Sequence, residues 1–155
     1  MIIDLPPTVP IFNTQDANLA YNCVVKASKY YDVNPYAIQI LLQTEGGIKG
    51  SKTLNKNGTY DYGPMQTNDR WVDELKRIQN INIDKNRLQN DVCYNIHIGT
   101  WILAYKISEV KGDVWKGLGN YHSKTEKYHT QYLKKAVKAY SQIVLHWNNQ
   151  HKKYN

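Results

Sequence analysis

Two carboxylates, Glu45 and Asp61, stand sixteen positions apart in a stretch from Ile38 to Trp71 that is otherwise rich in Gly, Asn, Thr and Tyr. Ile38, Leu41, Leu42 and Glu45 fall at i, i+3, i+4 and i+7. A helix through them therefore sets the Glu45 carboxylate on an apolar, inward-facing stripe. Burial disfavours the charged form, and so does the partial negative charge at a helix C-terminus, so Glu45 is expected to hold its proton to unusually high pH. A carboxylic acid in that state can serve as a general acid near neutrality. Taken alone, an acid at a helix end more often turns out to solvent. The return of a second acid nearby favours the chemical reading, because paired carboxylates flanking a scissile bond are the usual equipment of glycoside cleavage.

The elements that must position this pair can be read locally. Asn34 is a good N-cap and Pro35 suits a first helical turn, so a helix should run from about Tyr36 until Gly46 and Gly47 end it. Thr53–Asn55 and Thr59–Tyr62 flank Lys56-Asn57-Gly58, and Asn-Gly between short β-prone runs predicts a hairpin. Asp61 sits on its return arm, followed by a Gly63-Pro64 turn and the polar loop Met65-Gln66-Thr67-Asn68. Before this stretch a helix is expected from about Asp16 to Tyr31, with Ala20, Cys23, Val24, Ala27 and Tyr31 on one face. After it the pattern from Asn68 to Ile78 predicts a capped helix with Trp71, Leu75 and Ile78 inward. Residues 79–90 lack a period and are expected to form a surface loop. A strongly apolar helix follows from about Val92 to Val110, carrying Ile96, Gly99, Ile102, Leu103 and Ile107. A short helix from Asp113 should lead into Gly119-Asn120-Tyr121-His122-Ser123. The last helix, roughly 124–147, is expected to turn Leu133, Ala136, Val137, Tyr140, Val144 and Trp147 inward.

Here a resemblance enters. NKNGTYDYGPMQTNDRW, from Asn55 to Trp71, is similar to the Asn-x-Asn/Asp-Gly-x-x-Asp-Tyr-Gly-x-Met/Leu-Gln-Ile-Asn-x-x-Trp signature shared by chicken-type lysozymes and lytic transglycosylases. With TEGG around Glu45 and GPMQ after Tyr62, the chain most resembles the specialised lytic transglycosylases of type IV secretion and conjugation systems. VCYNIHIGTWIL from Val92 is similar to that family's Cys-x-Asn-Ile helix, and GNYHS from Gly119 to its Tyr-Asn-Ala-Gly motif. Four ordered motifs at compatible spacing, from about Leu19 to Tyr140, make the resemblance specific. It implies a mainly α, lysozyme-like fold, a helical bundle around a buried central helix with one small β-hairpin beside the cleft. It also implies cleavage of the MurNAc-GlcNAc bond of peptidoglycan with Glu45 as acid and Asp61 in a secondary role. Tyr62, Met65, Gln66, Asn68, Tyr121 and His122 would contact the glycan, with Tyr121 lying against Glu45. His122 and Ser123 depart from the motif's Asn-Ala-Gly, and Gly46 stands where many relatives have Ser.

Cys23 and Cys93, the only cysteines, both fall on inward helix faces, where they fit either as buried thiols or as partners. The resemblance implies that they pair, and an enzyme working on cell wall acts in an oxidising compartment. A bridge closing so long a loop would contribute roughly 4 kcal/mol in the chain-entropy model.

The 155 residues suit a single domain over 1–155, with 1–13 an extended arm and 148–155 a basic tail. Thirteen Tyr and four Trp against one Phe supply flat apolar faces with hydrogen-bonding edges, which suit sugars. MIIDLPPTVPIF lacks the basic and apolar regions of a signal peptide, and no run is long enough to span a membrane. The expected location is the periplasm or the extracellular face of the envelope, by an export route the sequence does not display. The expected partners are peptidoglycan strands and secretion-system or other envelope proteins, with the protein itself a monomer. The five His and two Cys show no metal-ligand spacing, and no phosphate- or dinucleotide-binding motif occurs, so no cofactor or metal is expected.

Three readings compete with a transglycosylase. A hydrolytic lysozyme or phage-type endolysin shares the Asp61 motif, but the chain lacks the dense cysteine framework of chicken-type lysozymes. A wall-binding protein without turnover would not need an acid on an apolar stripe. A nucleic-acid-binding module fits a pI near 9.3. However, residues 124–155 hold seven Lys and one Glu, so +6 of the formal +7 lies there, away from the acid-bearing stretch. No nucleic acid is expected, since a phosphate-binding groove would not carry acids at its centre. The basic segment reads either as a solvated helix face or as a means of retention on an anionic partner.

Overall fold

The computed structural model describes residues 14–152. Among them run α1 (Thr14–Tyr31), α2 (Pro35–Glu45), β1 (Lys52–Leu54), β2 (Tyr60–Tyr62), β3 (Thr67–Asn68), α3 (Arg70–Gln79), α4 (Lys85–Asn90), α5 (Val92–Ser108), α6 (Val114–His122) and α7 (Glu126–His151). The fold is mainly helical, as expected, and no helix among the described residues is long and apolar enough to cross a membrane. The arm expected over 1–13 lies outside the described residues, as do 153–155. Residues 148–151 of the expected basic tail continue α7.

α2 is a buried helix packed against α1, α6 and α7. The Asn34 side chain accepts from the Tyr36 N–H at 2.9 Å, Pro35 occupies the first turn, and Gly46 closes the far end. Every residue from Ala37 to Leu42 is buried. Ile38 and Leu41 are fully enclosed, each worth about 1.5–3 kcal/mol in apolar burial. α1 reaches α2 through a tight turn in which the Ser28 hydroxyl donates to the Val33 carbonyl at 2.7 Å. Cys23 of α1 and Cys93 of α5 form a disulfide with Cα atoms 5.3 Å apart, so the pairing that the resemblance implied is present.

Beside this bundle the strands form an antiparallel sheet in the order β1-β2-β3. The hairpin around Lys56-Asn57-Gly58 forms as its Asn-Gly signal requires, with the Asn55 N–H bonded to the Thr59 carbonyl at 2.8 Å. The third strand is a departure from the polar loop expected over Met65–Asn68. Gln66 turns back through a left-handed φ of 49° and its N–H bonds to the Gly63 carbonyl, so Thr67 and Asn68 return alongside Tyr62 and Asp61. Two residues are too few for alternation to reveal.

Two further expectations are corrected. Residues 85–90 are the helix α4, not surface loop. The Asp84 carboxylate accepts from the Asn86 and Arg87 N–H groups, and Leu88 is fully buried. α7 is also rotated from its expected face. Its buried stripe is Tyr132, Ala136, Ala139 and Ile143, whereas Val137 and Tyr140 are exposed. Tyr140, Val144 and Trp147 instead line an open groove of about 410 Å³ with Tyr36 and Trp115. The helix is apolar over a wide arc, so spacing alone could not select the arc that the core uses.

A buried polar side chain helps to join sheet and bundle. Asn95 on α5, fully enclosed, accepts from the Met65 N–H at 2.8 Å and donates to the carbonyls of Tyr62 and Leu88, both at 2.8 Å. Its substitution Asn95→Leu preserves size but leaves three buried backbone groups without their partner, each costing about 1–3 kcal/mol. The expected loss of stability in urea unfolding is at least about 3 kcal/mol; a loss below about 1 kcal/mol would show that the amide is dispensable.

Candidate active site

Glu45 is the last residue of α2. Gly46 follows it in the left-handed region at φ 63°, its N–H returning to the Leu42 carbonyl at 3.0 Å. A Cβ on Gly46 would meet open space, so the Ser of many relatives is opposed here by backbone conformation rather than by crowding. Gly47 is different: a Cβ there would collide with the Gly63 carbonyl. Its absence lets the end of α2 abut the turn between β2 and β3, and this brings a helix-borne acid to the edge of the sheet.

Between them lies a cleft of about 290 Å³. Asn55, Asn57, Thr59, Asp61 and Asn68 line it from the sheet and its turn, and Gln66 from the second turn. Arg70 and Trp71 from α3, Tyr121 and His122 from α6, and Glu45 complete it. Asp61 pairs across the strands with Asn68, whose Nδ2 donates to Asp61 Oδ1 at 2.7 Å and to the Thr59 hydroxyl oxygen at 2.9 Å. The Thr59 hydroxyl donates in turn to Asn57 Oδ1 at 2.7 Å. Gln66 is held by bonds to the Gly63 carbonyl and the Ser51 hydroxyl oxygen. The wall opposite Glu45 is thus a rigid row of amides and hydroxyls suited to a neutral, polyhydroxylated ligand.

Of the eight residues expected at the site, Glu45, Asp61, Gln66, Asn68, Tyr121 and His122 come together. Met65 and Tyr62 do not line the cleft. Met65 is fully buried, its thioether seated where a Cβ on residue 99 would be, so it contributes packing and its backbone groups. Tyr62 is buried against the second core of Leu75, Leu88, Ile98 and Ile102, with its hydroxyl donating to Asp69 at 3.1 Å.

The residue that grips Glu45 is one that sequence reasoning missed. Tyr132 on α7 donates to Glu45 Oε1 at 2.7 Å, whereas the Tyr121 hydroxyl donates to the Met65 carbonyl at 2.9 Å. Tyr132 is also stacked face to face on His122, ring centroids 4.8 Å apart and planes within 7°. Its signal was its place in the stripe with Ala136, Ala139 and Ile143.

Burial pushes Glu45 up from the ordinary carboxylate range to about 7. The Tyr132 hydroxyl works against this, the Asp61 charge adds to it, and the Lys135 charge again opposes it. Burial, with Lys135 helping, pushes His122 below the ordinary imidazole range, so it is neutral at neutral pH. Tyr121 and Tyr132 are both raised, by burial first and then by the Glu45 charge. The arrangement holds a partly buried carboxylic acid that keeps its proton up to about 7, in a cleft lined mostly by amides and hydroxyls together with Asp61 and Arg70.

Residues 22–154 match the family described as Transglycosylase SLT domain. The chain is 30% identical over 146 residues to a peptidoglycan-binding-like protein of Escherichia coli O157:H7, covering 88% of this chain and 86% of that protein. It is 25% identical over 128 residues to Protein IpgF of Shigella flexneri, covering 79% and 82%.

A raised carboxyl makes a signed prediction for stability. The neutral form is the one the fold accommodates, so Glu45's contribution is whole below its unfolded value and is lost as pH rises through about 7. Glu45→Gln should therefore gain stability relative to wild type between about pH 5 and about pH 8, by up to ~3 kcal/mol. Thermal unfolding across that range checks it; a pH-independent difference would mean that Glu45 titrates normally.

Proposed function

The chain belongs to the transglycosylase SLT family, and on that premise we propose that it cleaves the β-1,4 bond between N-acetylmuramic acid and N-acetylglucosamine with formation of 1,6-anhydro-N-acetylmuramic acid. The observation that carries this reading is the Glu45 carboxyl, held protonated to about 7 at the edge of a polar cleft. In the protonated state it donates to the glycosidic oxygen as the bond to C1 breaks. The resulting carboxylate then accepts the proton of the muramic acid C6 hydroxyl as that oxygen closes on C1. The proton returns to Glu45, and no water is consumed.

Asp61 has one carboxylate oxygen engaged by Asn68, which supports a role in bracing the wall and placing the sugar rather than attacking it. The amide row from Asn55 to Asn68 offers donors and acceptors of the kind N-acetyl groups use. Tyr62 and Met65 act in this scheme only through the packing and backbone they provide. A peptidoglycan substrate supports a location in the cell envelope, on the periplasmic or extracellular side. The likeness of TEGG and GPMQ to the specialised enzymes supports local opening of the wall for a secretion or conjugation apparatus.

Digestion of purified peptidoglycan followed by mass spectrometry tests the reading. Anhydro ends, one water lighter than reducing ends, are expected. Glu45→Gln should lose about three orders of magnitude or more in rate while keeping the fold, and Asp61→Asn should lose markedly less. A digest with reducing ends only would make the protein a hydrolytic lysozyme, and wild-type rates from Glu45→Gln would remove the glutamate from the chemistry.

A further inference from the structure

Tyr132 does not line the cleft, yet among the described residues it supplies the side-chain hydrogen bond to Glu45, and its surroundings leave it little freedom to do anything else. It is 5% exposed, it belongs to the buried stripe of α7, and His122 lies parallel against its ring. Its hydroxyl meets Glu45 Oε1 at 2.7 Å, in the range of a charge-assisted bond. A neutral carboxylic acid accepts through its carbonyl oxygen. A hydroxyl donating to Oε1 therefore leaves the acid's proton on Oε2.

We propose that Tyr132 is the positioning residue of the acid: it confines the Glu45 proton to Oε2 and stabilises the carboxylate left behind when that proton is transferred. The proposal rests on the reading of Glu45 as acid and then base, and goes beyond it by assigning the control of that residue to α7 rather than to the Tyr121 motif. Tyr121 spends its hydroxyl on the Met65 carbonyl and so holds the turn below the cleft. The bond from Tyr132 strengthens as charge develops on Glu45, which is the condition for an interaction to assist the transition state rather than the ground state.

The other groups that bear on the Glu45 charge are Asp61 from β2, which opposes ionisation, and Lys135, one turn beyond Tyr132, which favours it. Tyr121 and His122 approach from α6, the latter neutral at neutral pH. Tyr132→Phe removes only the hydroxyl and keeps the ring that His122 covers. Deleting a donor to the carboxylate favours its protonated form, so the midpoint of Glu45 moves up by about one pH unit. Because the protonated form begins the reaction, the alkaline limb of the pH–rate profile moves the same way.

The test has two readouts. Carbon NMR of protein labelled in its four Glu carboxyls, with Glu45 assigned by its loss in Glu45→Gln, follows the titration without reference to turnover. Peptidoglycan digestion follows the rate. Tyr132→Phe is expected to raise both the titration midpoint and the alkaline limb, to lower kcat by about tenfold, and to leave KM within about twofold. Tyr121→Phe is expected to leave the limb in place. If Tyr132→Phe titrates and limits as wild type does, or if Tyr121→Phe produces the shift instead, the proposal is wrong. Should Tyr132→Phe not fold, labelled tyrosines in the wild type decide: one ring resonance must titrate with the Glu45 midpoint and cease to do so in Glu45→Gln, and its absence overturns the assignment. An inert wild-type enzyme would sink the function proposed above, but the carboxyl titration would still answer for Tyr132.

Discussion

The cleft depends on the buried amide of Asn95, which, with the Tyr121 hydroxyl on the Met65 carbonyl and the apolar packing around Tyr62, fixes two parts of the chain against each other. One wall belongs to the bundle, where Glu45 ends α2 and Tyr132 and Tyr121 approach from α7 and α6. The other belongs to a sheet of short strands, too small to be stable alone. Apolar packing of Tyr62 and Leu88 holds the sheet against α5 without specifying its position to within a hydrogen-bond length. Asn95 supplies that precision by satisfying the Met65 N–H and two carbonyls at once. A buried polar group is tolerated only when its partners are complete, so a shift of the sheet along α5 would break several bonds together. The disulfide between Cys23 and Cys93 acts at the same end of α5, two residues before Asn95, and fixes that end of the helix to α1.

Much of this was legible in the sequence because local chemistry governs it. The Asn34-Pro35 start and Gly46-Gly47 stop delimited α2, and the phase of Ile38, Leu41, Leu42 and Glu45 put the acid on the correct face. Asn57-Gly58 marked the hairpin that carries Asp61. What escaped was decided by tertiary contact. β3 is too short for a period, and α4 has an Asp84 cap but only Leu88 as an anchor. α7 offered two apolar arcs of similar width, and the one that packs includes Tyr132 and two alanines rather than the more hydrophobic Val137 and Val144. That error of phase is also why Tyr132, which donates to Glu45, was missed. Met65 illustrates the same limit, since its position in the motif cannot tell a cleft-lining side chain from one whose backbone lines the turn while its thioether fills the core.

The opposing influences on Glu45 explain why one carboxylate can suffice for the proposed route. An enzyme that assigns acid and nucleophile to separate carboxylates needs environments that push the two apart, so that one stays protonated while the other stays charged. A route in which the same residue first gives a proton and then takes one has the opposite requirement. Its acid must be weak enough to remain protonated before the bond breaks and its conjugate base stable enough to form, which places the optimum close to the working pH. Burial alone would overshoot, making Glu45 a persistent acid whose carboxylate is costly to create; Asp61 would add to that error. The Tyr132 hydroxyl and the Lys135 charge bring it back, and both come from one helix, three residues apart. The sheet and the interior thus hold the proton on, while α7 makes its departure affordable, and the balance at about 7 leaves both forms of Glu45 accessible at neutral pH.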